Sequence, residues 1–530
     1  MPDRLPPNFA RNVVANYGST VARMLSLLAV TPVLLHELGD AAFGVWALAG
    51  SVILYLDIFH LGFGIATSKL VAEDAGRRDE RVIGTINTSF FVLAGLGVLA
   101  MATGVVIAVF SANWFDVPDA LTDETTIVFL ILAINIGLAL PGDTFGGVLS
   151  GYQRYDLLGL VNTFNVVGAA VAGVIVVLNG GGLVGLALAT TGVSLLSQLL
   201  RYRLVRRLVP GFELRRKHVQ RSRLRLTTRL SGWFLVRDAA ELVTMRVDLV
   251  VLGAMRPLRD VALYAVGSKL ALFCDRGVRP LATLFMPEVS ALNADGHHDR
   301  VAKLYSTGTR VVLLAALPSV LILTILAAPL VEAWVGEGYA TSASVALVLA
   351  LGLGLRSLSM SAATVLVGKG EARTYAGIQS AEAAVNLVAS VLLVGPLGPT
   401  GVALGTVVGV TAVNLPLMTL WACRVTGTRV GSLARASLVP HLPAAAVTAG
   451  ALFAVRGVLD GRVAVVAASV VAFALYVGVY LGTGATPTER RRVRSLARRL
   501  SRRSSPGPSS GRGADPPPPS SPPVASTGRP

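Results

Sequence analysis

Arg237, Asp238, Glu241, Arg246 and Asp248 all fall inside one apolar stretch of the chain, 230–253. A charge at bilayer depth costs roughly 3 kcal/mol or more unless it faces protein or water. Groups kept there at that cost suit ion binding, proton exchange or contact with a charged substrate. Arg237, Glu241, Thr244 and Asp248 share one helical face, and Arg237 and Glu241, four apart, neutralise each other along it. Asp238, Arg246 and Asp248 are left needing partners or a watery cavity. A second stripe, Asn12, Asn16, Ser19, Arg23 and Ser26, recurs at helical spacing near the start of the chain, with Arg23 near mid-membrane. Lys269, Asp275, Arg276 and Arg279 occupy another apolar stretch, and Asp57 and His60 a further one. Lys269 and Arg279 are long enough to snorkel outward. Asn162 and Asn165 have Gln379 and Glu382 as counterparts later in the chain, with Asn386 one turn beyond. Amides inside a membrane commonly join helices, whereas the Glu382 carboxylate is a protonatable site.

The elements that must position these groups are membrane helices. The chain has 530 residues, is 53% hydrophobic and only 15% charged, with a mean hydropathy of +0.65, which excludes an ordinary soluble globule. Runs of roughly 20 apolar residues, enough to cross a bilayer as helix, can be placed about fourteen times between residues 13 and 482. The expected fold class is all-α integral membrane, with two six-helix lobes and a C-terminal helix pair. The six-helix pattern at 11–203 recurs about 220 residues later at 229–424. Loops carry the match: Asp40 to Gly44 aligns with Asp260 to Tyr264, and Ala75 to Asp79 with Asp295 to Asp299. Such duplication marks transporters with a site between their halves. The expected organisation is 1–204 as the first lobe, 205–228 as a basic linker and 229–424 as the second lobe. The extra helix pair follows at 425–482, then a basic, Pro/Ser-rich disordered tail at 483–530.

The net charge is +17, and Lys and Arg collect in alternate loops. Lys69, Arg77, Arg78 and Arg81 follow the second span, a run from Arg201 to Arg229 follows the sixth, and Lys369 and Arg373 follow the tenth. By the positive-inside rule both termini are cytoplasmic. The basic loops read as orientation signals and contacts for anionic membrane lipids, not for nucleic acid. No P-loop, HExxH or nucleophile elbow is present, and no long outer loop offers an acceptor site, so an enzyme is not expected. No cofactor or metal is expected either: Cys274 and Cys423 offer no disulfide framework or metal-ligand spacing.

Asn12 to Gly18 (NVVANYG), Pro32 to Gly39 (PVLLHELG), Phe43 to Trp46 and Asp57 to Ala66 (DIFHLGFGIA) resemble the opening of bacterial oligosaccharide flippases, the polysaccharide-transporter branch of the MATE-like MOP exporter superfamily. The resemblance covers the two-by-six plan through about Arg424. It implies two lobes in a V that open alternately to each side of the bacterial inner membrane. The implied substrate is a polyprenyl-diphosphate-linked oligosaccharide, with polysaccharide polymerase or assembly proteins as further partners. It points to Asn16, Arg23, Arg237, Arg246 and Arg276 for the diphosphate, since the guanidinium fork pairs with phosphate oxygens. By the same analogy, Asp57, Asp238, Glu241, Asp248 and Glu382 are candidates for proton or sodium coupling. Alternatives are a multidrug or metabolite exporter of the same fold, a lipid II flippase, or a scaffold of a polysaccharide-assembly complex, which would need no charge within the membrane.

Overall fold

The computed structural model describes residues 9–60, 62–74, 79–225, 247–283, 285–459, 461–487 and 490, and among these no strand occurs. The first half runs α1 (Phe9–Leu56), a 3-10 turn (Asp57–His60), α2 (Phe63–Asp74), α3 (Asp79–Trp114), α4 (Thr122–Gly151), α5 (Tyr155–Leu178) and α6 (Gly182–Leu208). The second runs α7 (247–255), α8 (Leu258–Thr283), α9 (Met286–Ala294), α10 (His298–Ile325), α11 (Ala327–Val335), α12 (Ala340–Gly368) and α13 (Ala372–Gly409). A π turn (Val410–Asn414) leads into α14 (Leu415–Thr426), and α15 (Val430–Leu438), α16 (Leu442–Val455) and α17 (Arg462–Thr483) complete the chain.

Ten stretches of the described residues are long and apolar enough to cross a membrane, against the fourteen expected. Two of them, Leu28–Asp74 and Ala372–Thr426, are 47 and 55 residues long, more than twice the roughly 20 that one crossing takes. Each bends at a glycine whose backbone other residues adopt only under strain, Gly39 (φ 78°) and Gly398 (φ 55°). These bends fall where the sequence separates its first span from its second and its eleventh from its twelfth. Leu258–Thr283 has the length of a span but carries too many charges to count by composition. Most of the seventh expected span lies outside the described residues.

Neighbouring helices approach through small residues, as membrane helices do without a hydrophobic drive between them. A Cβ on Gly97 of α3 would lie 2.4 Å from the Gly137 carbonyl oxygen of α4. Among the described residues the two halves share apolar cores at one end. Far from the basic loops, one apolar core joins Val45, Leu48 and Phe129 of the first half to Leu252, Leu258 and Val261 of the second. Leu34, Leu35 and Phe43 likewise pack with Ala262, Ala265 and Val266. At the basic end the cores are separate, one built around Val82, Phe145 and Phe212 and the other around Val301, Tyr305 and Leu366.

The connection that leaves α6 turns back as a strap over the basic end of the first half. Asn87, fully buried in α3, donates from Nδ2 to the Glu213 carbonyl at 3.0 Å and accepts from the Arg215 N–H at 2.8 Å. Thr88 accepts from the Gln220 N–H at 3.0 Å, and Arg223 pairs with Asp74 of α2 at 2.8 Å. Asn87→Ala leaves two backbone groups of the strap unserved, at a cost of about 1–3 kcal/mol. Trypsin should then cut faster after Arg215, Arg216 and Lys217; an unchanged rate would mean that Phe212 and Arg223 hold the strap by themselves.

Candidate functional site

The site is built from α7, α8, α12, α13 and the π turn. A cavity of about 70 Å³ lies among Asp248, Tyr264, Ser268, Leu349, Arg356 and Thr406. Asp248 Oδ2 accepts hydrogen bonds from the Tyr264 hydroxyl and, at 3.2 Å, from the Thr406 hydroxyl. Its Oδ1 is buried with no partner among the described residues. On the other side of the cavity Arg356 pairs with Glu382, which is only 1% exposed. The second Glu382 oxygen accepts from Asn414 Nδ2 at 2.6 Å, and the same amide donates to Gln379 at 2.9 Å. Ser359 donates to Asn414 Oδ1 at 2.5 Å. The π turn brings Asn414 into this network, a recurrent use of such turns at functional sites. Asn386, packed against Gly409, accepts from Ser390 at 3.0 Å, while its Nδ2 is buried with no acceptor among the described residues.

The first half carries an equivalent cluster with an amide in place of the buried glutamate. Asn162 and Asn165 of α5 accept from Arg201 and Ser197 of α6 at 2.8 and 3.2 Å, so both amides tie these helices together. Gln198, which aligns with Asn414, donates to the Ala139 carbonyl of α4 at 3.2 Å. The cluster's ionic member is Arg201 with Asp143, 3.2 Å apart. Where the first half has Asn165, the second has Glu382 with its buried guanidinium.

Lys269 of α8 faces the first half and does not snorkel away. It donates to Thr31 of α1 at 3.1 Å and lies 4.5 Å from the centre of the Phe43 ring. Arg276 follows on the same face of α8, about two turns nearer the basic end, and beside it Asp275 pairs with Arg279 at 3.4 Å. Arg23 stands on α1 about two turns from Thr31, also toward the basic end. The two arginines are therefore at matching depth on facing helices.

Beyond Lys269, the halves are sealed. Asp40 pairs with Arg259 at 3.3 Å and accepts from the Tyr339 hydroxyl at 2.8 Å, while the Trp334 indole donates to the Leu28 carbonyl at 2.7 Å. Burial, and then the neighbouring Asp40 carboxylate, pushes the Tyr339 phenol up to about 12, so this tie keeps its proton at any physiological pH. A Cβ on Gly44 of α1 would come within 2.1 Å of the Leu258 carbonyl oxygen, so backbone packs on backbone there.

Of the residues singled out from sequence, Asp248 lines the cavity, Glu382 holds Arg356 on its other side, and Arg276 stands further along α8 toward the basic end. Arg237, Asp238, Glu241 and Arg246 lie outside the described residues, as do the side chains of Asn16, Arg23 and Asp57. Arg356, Tyr264, Thr406 and Asn414 were not foreseen. Arg356 carried the same signal as the rest, a lone charge within the apolar run 341–367. The other three are ordinary polar residues of membrane helices and announce nothing until the fold brings them together.

Two bundles joined at one end around polar residues at mid-membrane make the fold of a MATE-like membrane transporter. The chain superimposes on a lipid II flippase MurJ in an inward closed conformation with a TM-score of 0.69, at 13% identity, covering 89% of this chain and 98% of that one. An inward-facing multidrug resistance MATE transporter of the MOP superfamily gives a TM-score of 0.67 at 17% identity over 76% and 95%. The chain belongs to the polysaccharide biosynthesis protein family, whose model matches residues 9–293. The model of the lipid II flippase MurJ matches residues 278–472. A curated relative, the uncharacterized membrane protein EpsK of Bacillus subtilis (strain 168), is 22% identical over 434 residues, 79% of this chain and 84% of EpsK.

Proposed function

We propose that this protein is a flippase that moves a polyprenyl-diphosphate-linked oligosaccharide from the cytoplasmic to the outer leaflet of the bacterial inner membrane by alternating access. The carrying observation is the one-sided closure: the halves share a core at the end away from the basic loops and have separate cores at the basic end. With the basic end cytoplasmic, this is a form closed to the outside. The lobes move as units 1–204 and 229–424, with the pair at 425–482 alongside. Arg23 and Arg276, level with each other on facing helices, hold the diphosphate together with Asn16, Arg237 and Arg246. Asp57, Asp238, Glu241, Asp248 and Glu382 supply the coupling to a cation gradient.

Alanine at Arg23, Arg237, Arg246 and Arg276 together should abolish complementation of a flippase-deficient strain while the protein still reaches the membrane. Undiminished complementation would exclude the diphosphate assignment. A second reading, a cation-coupled exporter of another substrate, is favoured by the buried Asp248 carboxylate. It predicts transport of a small amphiphile, and none of a lipid-linked glycan, in reconstituted vesicles.

A further inference from the structure

Asp248 and Glu382 are both buried carboxylates, and Arg356 is a buried guanidinium that lines the cavity with Asp248 while pairing with Glu382. A buried ion is tolerated only when paired or well hydrogen-bonded. Glu382 is fully served, by Arg356 on one oxygen and Asn414 on the other. Asp248 is not: two hydroxyls reach its Oδ2 and nothing among the described residues reaches its Oδ1. The α8 cations nearest to Tyr264 along the helix, Arg259 and Lys269, are engaged with Asp40 and Thr31 of the other half.

The two carboxylates are held at different depths on one helical run. Asp248 is bonded to Thr406 of α13, and Glu382 to Asn414 at the end of the π turn. These two positions are about 12 Å apart along the axis at 1.5 Å per residue. Between them Gly409 packs so closely that a Cβ would lie 3.1 Å from Asn386 Cβ and 3.2 Å from the Glu382 carbonyl oxygen. The two limbs of α13 are thus in contact at this level, and the cavity that both Arg356 and Asp248 line is the space into which a long side chain can move.

We infer that Arg356 is a mobile counter-ion, paired with Glu382 while the halves are sealed at their far end, as here, and with Asp248 across the cavity when that end opens. The exchange makes the position of α12 depend on which carboxylate holds its guanidinium. It rests on the transporter reading above only in requiring two conformations, and it names no transported substrate.

The test uses the full chain in lipid nanodiscs, with Cys274 and Cys423 replaced by serine and spin labels on Asp119→Cys and Glu337→Cys. Both label sites are exposed beyond the seal, one in each half, so their distance reports whether that end is closed. Asp248→Asn removes the second partner of Arg356 and should cut the long-distance population about tenfold. Glu382→Gln should raise it by a similar factor, and Glu382→Asp should shift it the same way should the glutamine variant not fold. In an Arg356→Gln background, Asp248→Asn should have no effect. The inference is overturned if Asp248→Asn leaves the populations unchanged, or changes them equally with and without Arg356. Because the readout needs no glycolipid, its failure leaves the flippase reading standing. Failure to move a glycolipid, with these shifts intact, would refute only that reading.

Discussion

Glu382→Ala is expected to lower the stability of the sealed form by about 3–5 kcal/mol, because in that form it strands the Arg356 guanidinium inside a membrane helix bundle. Arg356 is 6% exposed, so the unpaired guanidinium stays out of water. The loss should appear as a fall in the melting temperature of the detergent-solubilised protein. Replacing both partners by apolar residues of similar size, Arg356→Met with Glu382→Leu, removes the ion pair and the need for it together. Such exchanges are often neutral or stabilising, though Asn414 then loses one of its two acceptors and retains some cost. A double variant as unstable as Glu382→Ala would show that the amide network, not the charge, governs the fold here. The stable double variant should still fail in transport, and activity at the wild-type level would remove the pair from the mechanism.

Gly44→Leu is expected to prevent the halves from closing at the far end. Even a single Cβ there would stand 2.1 Å from the Leu258 carbonyl oxygen, and backbone on both sides leaves no side chain to give way. Each half remains internally packed, so the protein should insert and remain soluble in detergent. It should populate the form open at that end, with the label distance between positions 119 and 337 lengthened and turnover lost by more than tenfold. Retention of the short distance would mean that the seal is carried by Asp40, Arg259, Tyr339 and Trp334 and that the backbone contact is incidental.

How far the sequence could be read differs by kind of feature. The helical class and the duplication were visible because length, hydropathy and loop spacing survive divergence. Spans one and two, and eleven and twelve, were placed as separate helices, and the backbone leaves the helical conformation between them, at Gly39 and Gly398. Glycine permits such a turn but gives no periodic signal that it will be made. At the site, Asp248 and Glu382 stood out because burying a carboxylate is expensive wherever it occurs. Their division of labour did not, because Tyr264 and Thr406 reach Asp248 across 16 and 158 residues of sequence, and Arg356 reaches Glu382 across 26. The snorkelling suggested for Lys269 is not what the chain does, since Thr31 and the Phe43 ring of the other half offer it a partner and a π face.

The staggered heights at which Asp248 and Glu382 are fastened also bear on voltage. The roughly 12 Å between their anchoring residues is about two-fifths of a hydrocarbon core some 30 Å thick. A unit charge travelling that distance crosses a similar share of the membrane potential, about 1 kcal/mol for each 100 mV. The first half has amides at the corresponding positions of α5 and α6, its Arg201 is held by Asp143 and Asn162, and such an exchange has no counterpart among its described residues. An energised membrane would therefore act on one half of the duplicated frame and leave the other to follow, a division of electrical from mechanical work that two identical copies could not make.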